Sequence, residues 1–363
     1  MTHPQDAFFM ARALELARKG RYTTDPNPRV GCVLVKQGLI IGEGWHKQAG
    51  FEHAELNALK SVEPAHSVEG ATAYVTLEPC AHQGKTPPCA DALINAKVAR
   101  VVVAMQDPNE LVAGRGLQKL KAAGIEVCCG LLEADAQALN RGFIKRMIHQ
   151  RPFVRSKLAM SLDGRTALAS GESQWITSDC ARADVQRLRA ESSAILTGIN
   201  TVLADDPSLN ARVSEDVNQP IRVILDSALQ MPTTAKMATL PGRTLILTCL
   251  DDAQKREALQ AVGFEVFVLP AKNTRLDLSA VMTFLGQQQV NEVLVEAGAI
   301  LNGALLTEGC VDEWIVYMAP CVLGDQSRGL FSIPSLQTMA DKKTLQLREV
   351  RQVGPDLRLT LSS

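Results

Sequence analysis

The chain has 363 residues and no long apolar run; the longest cover 30–35 and 244–250. A bilayer span needs ~20 apolar residues, so a transmembrane helix is excluded. Charge of one sign is also lacking, with 38 Lys+Arg against 39 Asp+Glu. The counts are 17 and 15 through His149, then 21 and 24 after it. Neither half is basic, which leaves broad nucleic-acid binding without electrostatic support. The opening Met-Thr-His-Pro-Gln-Asp lacks the basic and apolar regions of a signal peptide. A cytoplasmic protein is the expectation. The nine cysteines are an odd number. Without a secretory signal they argue against a disulfide framework and for metal binding or burial. Internal repeats are absent. Histidine is missing after residue 149: all six, His3, His46, His53, His66, His82 and His149, lie before that point.

What is present is an ordinary globular composition, 46% hydrophobic and 21% charged. Domains usually run ~100–200 residues, so two are expected. The first half alternates helices and strands. A helix is predicted over 6–19, with Ala7, Ala11, Leu14 and Arg18 at helical spacing and Gly20 as its stop. Strands are predicted at 31–35, 39–44, 71–78, 100–105 and 126–130, and helices at 53–61, 89–97, 115–123 and 133–148. Arg151-Pro152-Phe153 breaks this pattern, because the residue before proline avoids helix. The domains are therefore placed at 1–149 and 150–363. The second restarts with a strand over 153–160, followed by strands at 194–197, 221–226, 244–248, 265–269, 292–295 and 314–318. Helices fit 179–190, 252–262, 277–288 and 299–308. Both halves read as α/β.

His53-Ala54-Glu55 opens a helix. Further on, a strand ends in Glu78-Pro79-Cys80, and Cys89 follows Pro87-Pro88 in the first turn of another helix. One histidine and two thiolates make a catalytic zinc set of three ligands with one open position. Zinc lowers the pKa of water from 15.7 to about 7, suited to attack on an amidine-like ring carbon. Glu55 is placed as the proton shuttle to the leaving amine. Two residues is not same-face spacing on a regular helix, so the pair works only if the helix begins here with His53 in its first turn. His-x-Glu with Pro-Cys-x-x-Cys marks zinc base deaminases. Here eight residues separate Cys80 from Cys89, putting the loop 81–88 beside the metal. His46, His66 and His149 read as surface or satisfied polar positions, and the remaining cysteines as buried small hydrophobes.

In the second half, Glu296-Ala297-Gly298 ends an apolar strand, and a helix follows with Leu301, Ala304 and Leu305 on one face. Such a turn suits an anion at a helix N-terminus, although Gly298 and Gly303 complete neither Gly-x-Gly-x-x-Gly nor a Walker motif. Arg189 and Arg212 have the forked geometry that holds a phosphate. Lys157 alternates with Ser156 and Leu158 along the 153–160 strand, and a lysine in a covered strand is costly unless it lines a cavity.

Asn27-Pro28, Val30-Gly31, His53-Ala54-Glu55, Glu78-Pro79-Cys80 and His82-x-Gly84-x-Thr86-Pro87-Pro88-Cys89 resemble the bacterial bifunctional riboflavin biosynthesis family. So do Lys157, the runs 161–166, 171–178 and 201–207, and Val295-Glu296-Ala297-Gly298. The resemblance covers essentially the whole chain. It implies an N-terminal cytidine-deaminase-like three-layer domain followed by a dihydrofolate-reductase-like α/β domain. The implied activities are zinc-dependent deamination of a diaminopyrimidine nucleotide and NADPH-dependent reduction of its ribosyl group to ribityl. Zinc ligands then fall on His53, Cys80 and Cys89, with Glu55 and Lys157 catalytic. NADPH contacts fall on Ala159, Trp175, Thr201, Asp205, Ser227, Gly298, Ala299, Ile300, Leu301, Asn302, Gly303 and Ala304. Substrate contacts fall on Asn27, His82, Ser173, Arg189, Leu209, Arg212 and Glu296. The expected partners are the small-molecule nucleotide and further copies of the chain, with no nucleic acid and no membrane.

Overall fold

The structure, a computed structural model, describes residues 3–81, 88–110 and 112–363. It divides into two compact units, Met1–Gln150 and Arg151–Ser363. Among the described residues no helix is long and apolar enough to cross a membrane.

The first unit is built on five strands in the order Leu39–Trp45, Gly31–Lys36, Thr72–Val75, Arg100–Val103, Glu126–Cys129. Gly31–Lys36 pairs antiparallel with both neighbours, and the other pairings are parallel. Two glycines show how helices reach both faces. A Cβ on Gly31 would lie 2.0 Å from the Ala13 carbonyl oxygen of helix Asp6–Arg18. A Cβ on Gly44, which pairs with Cys32, would lie 2.3 Å from the Ala58 nitrogen of helix Ala54–Lys60. Gly31 and Cys32 point to opposite faces, so the two helices sandwich the sheet in three layers. Only glycine allows backbones to approach this closely. Helices Cys89–Asn95 and Arg115–Ala122 continue the layer of Ala54–Lys60. Met10, Leu34, Val75, Leu93, Val102 and Leu120 fill the core.

Two predicted elements differ. The single helix over 133–148 is two, Glu133–Leu139 and Arg141–His149, broken at Asn140 with φ −117°. The cause is tertiary. Asn140 Oδ1 accepts from Arg29 N at 2.8 Å, and its Nδ2 donates to Arg29 O at 2.9 Å, so the side chain acts as a strand partner. The strand over 71–78 is only Thr72–Val75. Beyond it only single backbone bonds continue, Thr76 N donating to Gly31 O at 3.1 Å and Glu78 N to Met105 O at 3.0 Å.

The second unit is built on a nine-stranded sheet in the order Glu265–Val268, Thr244–Thr248, Ile221–Leu225, Ala194–Gly198, Glu292–Val295, Phe153–Ser161, Glu313–Ala319, Asp356–Ser362, Gln346–Val353. The first seven are parallel, and the last two join antiparallel. Helices Asp179–Glu191, Ala253–Ala261, Leu278–Gln287 and Ala299–Thr307 lie where the sequence predicts them. The short helix Ile199–Asp205 and the closing hairpin were not predicted. Gln346–Val353 is an exposed edge strand without a buried face, so no two-residue burial pattern marks it. In the central strand Phe153–Ser161, Val154 and Leu158 enter the main core. Lys157 registers with Ile315, whose side chain packs with Val185, Leu188 and Tyr317 on the other face. The carboxyl ends of Phe153–Ser161, Ala194–Gly198, Ile221–Leu225 and Glu292–Val295 open on one edge, where α/β sheets bind ligands.

Candidate metal centre and nucleotide site

His53 is the N-cap of helix Ala54–Lys60, with φ −75° and ψ 167°. This corrects the expectation that it sits in the first turn. Its extended backbone frees it from helical spacing, so the side chains of residues 53 and 55 converge. Cys80 follows strand Thr72–Val75, and Cys89 opens helix Cys89–Asn95. His53 Nδ1 lies 3.7 Å from Cys80 Sγ and 3.3 Å from Cys89 Sγ, with all three donor atoms within 4.8 Å of one another. Tetrahedral zinc at ordinary bond lengths would space nitrogen and sulfur by about 3.6 Å, so the donor set fits it in type and spacing. The Cys80 thiol is pushed well down, chiefly by the Cys89 thiol donating to it; burial opposes this and His53 adds to it. Cys89 N also donates to Cys80 Sγ at 3.3 Å.

Glu55 is 3% exposed. Burial pushes its carboxyl up to about 7, and the Cys89 thiol is within hydrogen-bond reach. Asn27 Nδ2 lies 3.0 Å from His46 Nε2, and His46 Nδ1 lies 3.0 Å from Glu52 O. The His46 ring stands edge-on to that of His53, with centroids 5.3 Å apart. From sequence His46 reads as a surface or satisfied polar position, with nothing to place it here. Its only local signal is its closeness in sequence to His53. His82 lies outside the described residues.

In the second unit Glu296 follows strand Glu292–Val295 and is gripped by Arg189, with Nε to Oε1 at 2.6 Å and Nη2 to Oε2 at 2.8 Å. The guanidinium fork that the sequence offered to a phosphate is closed on this carboxylate. Arg212 is exposed, its Nη1 3.2 Å from Asn210 Oδ1. Lys157 is half-buried; burial lowers its pKa, Glu296 opposes this, and Arg189 adds to it. Ala159 is half-buried on the same strand face, registered with Tyr317.

Gly298 is exposed before helix Ala299–Thr307, with open space where its Cβ would stand. Asn302 is fully buried. Its Nδ2 donates to Ala297 O at 2.7 Å and to Gly298 O at 3.3 Å, while its Oδ1 accepts from Ser156 Oγ at 2.6 Å. These bonds draw the turn's carbonyls inward and leave the helix start as an open anion cradle, which fits a dinucleotide phosphate. Ala299, Leu301 and Ala304 are half-buried and Ile300 is exposed. A Cβ on Gly303 would meet Ser332 O at 2.0 Å, so Gly303 and Asn302 face protein rather than solvent. Thr201 is half-buried and Asp205 exposed on helix Ile199–Asp205. Ser227 Oγ accepts from Leu276 N at 3.1 Å. Ser173 is exposed, and Trp175, 70% exposed, carries the Arg182 guanidinium 4.5 Å from its ring centroid. The Leu209 side chain is buried in a core cluster, which leaves its backbone for any ligand contact.

Two family models match the chain. Residues 3–105 match the cytidine and deoxycytidylate deaminase zinc-binding region, and 152–359 match the RibD C-terminal domain. The riboflavin biosynthesis protein RibD of Escherichia coli K12 is 52% identical over 98% of this chain and 99% of its own. The chain belongs to the RibD family. That of Haemophilus influenzae is 50% identical over 98% and 97%. The solved structure of Acinetobacter baumannii RibD superposes with a TM-score of 0.91 at 47% identity, covering 99% of this chain and 98% of that one. A Thermotoga maritima structure reaches 0.88 at 33% identity, with 99% and 98% coverage. It is described as a diaminohydroxyphosphoribosylaminopyrimidine deaminase/5-amino-6-(5-phosphoribosylamino)uracil reductase. This chain is accordingly a bifunctional enzyme of riboflavin biosynthesis, with a zinc-binding deaminase domain and a reductase domain.

Proposed function

We propose that residues 1–149 hydrolyse the 2-amino group of 2,5-diamino-6-ribosylamino-4(3H)-pyrimidinone 5′-phosphate. Residues 150–363 then reduce the ribosyl group of 5-amino-6-(5-phosphoribosylamino)uracil to ribityl with NADPH. The observation that carries the reading is the convergence of His53, Cys80 and Cys89 with the buried carboxyl of Glu55. His53 Nδ1 and the two thiolates would hold zinc, which when bound would supply a Lewis acid that brings the pKa of water to about 7. Glu55 takes the proton of the attacking water and returns it to the departing amine. Asn27, oriented by His46, and His82 hold the pyrimidine. In the second unit, NADPH would supply a hydride when bound. Ala159, Trp175, Thr201, Asp205, Ser227 and the turn and helix start 298–304 hold it, Asn302 and Gly303 by shaping the backbone. Lys157 donates a proton to the ribose ring oxygen as the ring opens to an imine. Arg189 fixes Glu296 beside that ammonium, Ser173 and the Leu209 backbone line the site, and Arg212 meets the phosphate.

The zinc-loaded protein should release one ammonia per diaminopyrimidine nucleotide and oxidise NADPH only after that release. No ammonia release from this nucleotide overturns the reading. Cys80→Ser should lose zinc and ammonia release yet reduce pre-deaminated substrate at the wild-type rate, which metal analysis and NADPH absorbance check. Residues 150–363 expressed alone should be soluble and reduce that substrate; insolubility or inactivity would contradict independent units. We place the protein in the cytoplasm, whose reducing conditions suit its free thiols. Self-association is also proposed, since the edge strand Gln346–Val353 exposes Leu347 and Val350.

A further inference from the structure

Glu78 is 6% exposed, and among the described residues no cation pairs with it. Buried carboxylates are normally paired. This one is satisfied by four backbone N–H groups. Oε2 accepts from Asp107 N at 3.2 Å and Gly114 N at 2.9 Å. Oε1 accepts from Gly116 N at 2.8 Å and Leu117 N at 3.2 Å. Asp107 lies in the turn that leaves strand Arg100–Val103; Gly116 and Leu117 open helix Arg115–Ala122. The helix start is also in direct backbone contact with the Glu78-Pro79-Cys80 segment, since a Cβ on Gly116 would lie 2.0 Å from Pro79 O.

We infer that Glu78 is a positioning residue for deamination, clamping the turn after strand Arg100–Val103 against the Glu78-Pro79-Cys80 segment so that the turn forms a wall of the nucleotide pocket. Strands Thr72–Val75 and Arg100–Val103 are parallel and end on the same edge, where Cys80 stands and where α/β sheets take ligands. A turn held there by one carboxylate is placed relative to the metal centre itself. The chemistry requires a carboxylate. All four partners are donors, and an amide of the same shape would turn its own N–H₂ toward two of them. Those two N–H groups would lose their acceptors, which buried groups do not tolerate. Cys80 would stay in place through the Cys89 N–H and the metal, so the damage falls on substrate binding.

The inference rests on the deaminase reading above, and the experiment separates the two. Ammonia release is measured with zinc-loaded full-length wild type, Glu78→Gln and Gly116→Ala over a range of diaminopyrimidine nucleotide concentrations. Zinc per chain and reduction of pre-deaminated substrate are followed in parallel. Gly116→Ala reaches the same contact from the other side, by forcing the helix start off Pro79 O. Each variant should raise KM at least ~10-fold, with kcat within about threefold and with zinc and reductase activity unchanged. If Glu78→Gln does not fold, Gly116→Ala decides alone. A KM within twofold of wild type overturns the clamp, as does a kcat loss in proportion to lost zinc, which would make Glu78 a support for the ligand. A wild type that releases no ammonia sinks the deaminase reading instead.

Discussion

Glu55→Gln is expected to abolish deamination while zinc stays bound. Glu55 is buried beside the three donor residues, and burial is the main influence that lifts its carboxyl to about 7. A group with a pKa near the working pH both accepts and returns a proton readily, as a shuttle between water and amine must. Glutamine keeps the length, shape and hydrogen-bonding capacity of the side chain and loses the proton transfer. The metal set loses nothing, since His53, Cys80 and Cys89 are untouched. General acid–base groups contribute ~10²–10⁴-fold, so ammonia release should fall by at least ~10²-fold in kcat. Reduction of pre-deaminated substrate should not change. Zinc-loaded Glu55→Gln releasing ammonia within tenfold of wild type would show that another group carries the proton.

The second large effect is expected at Lys157. Its strand is the sixth of nine in the sheet, with parallel neighbours on both sides. Burial destabilises its ammonium, and Glu296 partly restores it. The Arg189 fork holds that carboxylate in place. Placing a cation here costs free energy that an apolar side chain would avoid, and the chemistry gives a reason for it. Opening the ribose ring leaves charge on its oxygen, and an ammonium whose pKa is brought down toward neutrality is the better proton donor. Lys157→Met preserves length and packing without the proton. Reductase turnover should drop at least ~10²-fold, the low end for losing an acid–base group. Zinc content and ammonia release should stay at wild-type values. Reductase turnover within a few-fold of wild type would assign ring opening to water or another side chain.

The sequence alone singled out His53, Cys80 and Cys89, whose donor atoms the fold brings within 4.8 Å of one another, because few places in a chain offer His-x-Glu, then Pro-Cys after a strand, then a cysteine at a helix start. It pointed to the α/β layering of both halves as well, since short apolar strand runs alternate with helical segments. The Lys157 strand was legible from its alternation. Side-chain bonds across long sequence separations were not, because nothing local encodes them. Asn140 breaks a helix in order to pair with Arg29, 111 residues away. Arg189 is committed to Glu296 across 107 residues, which sequence could present only as a loose phosphate-binding arginine. His46 reads as bland until the fold stands its ring against His53. Glu78 looked like one letter of a motif; its role lies in four backbone N–H groups brought to it by a turn and a helix start that follow it in the chain. Backbone donors have no residue identity, so only the tertiary structure could reveal what that carboxylate holds.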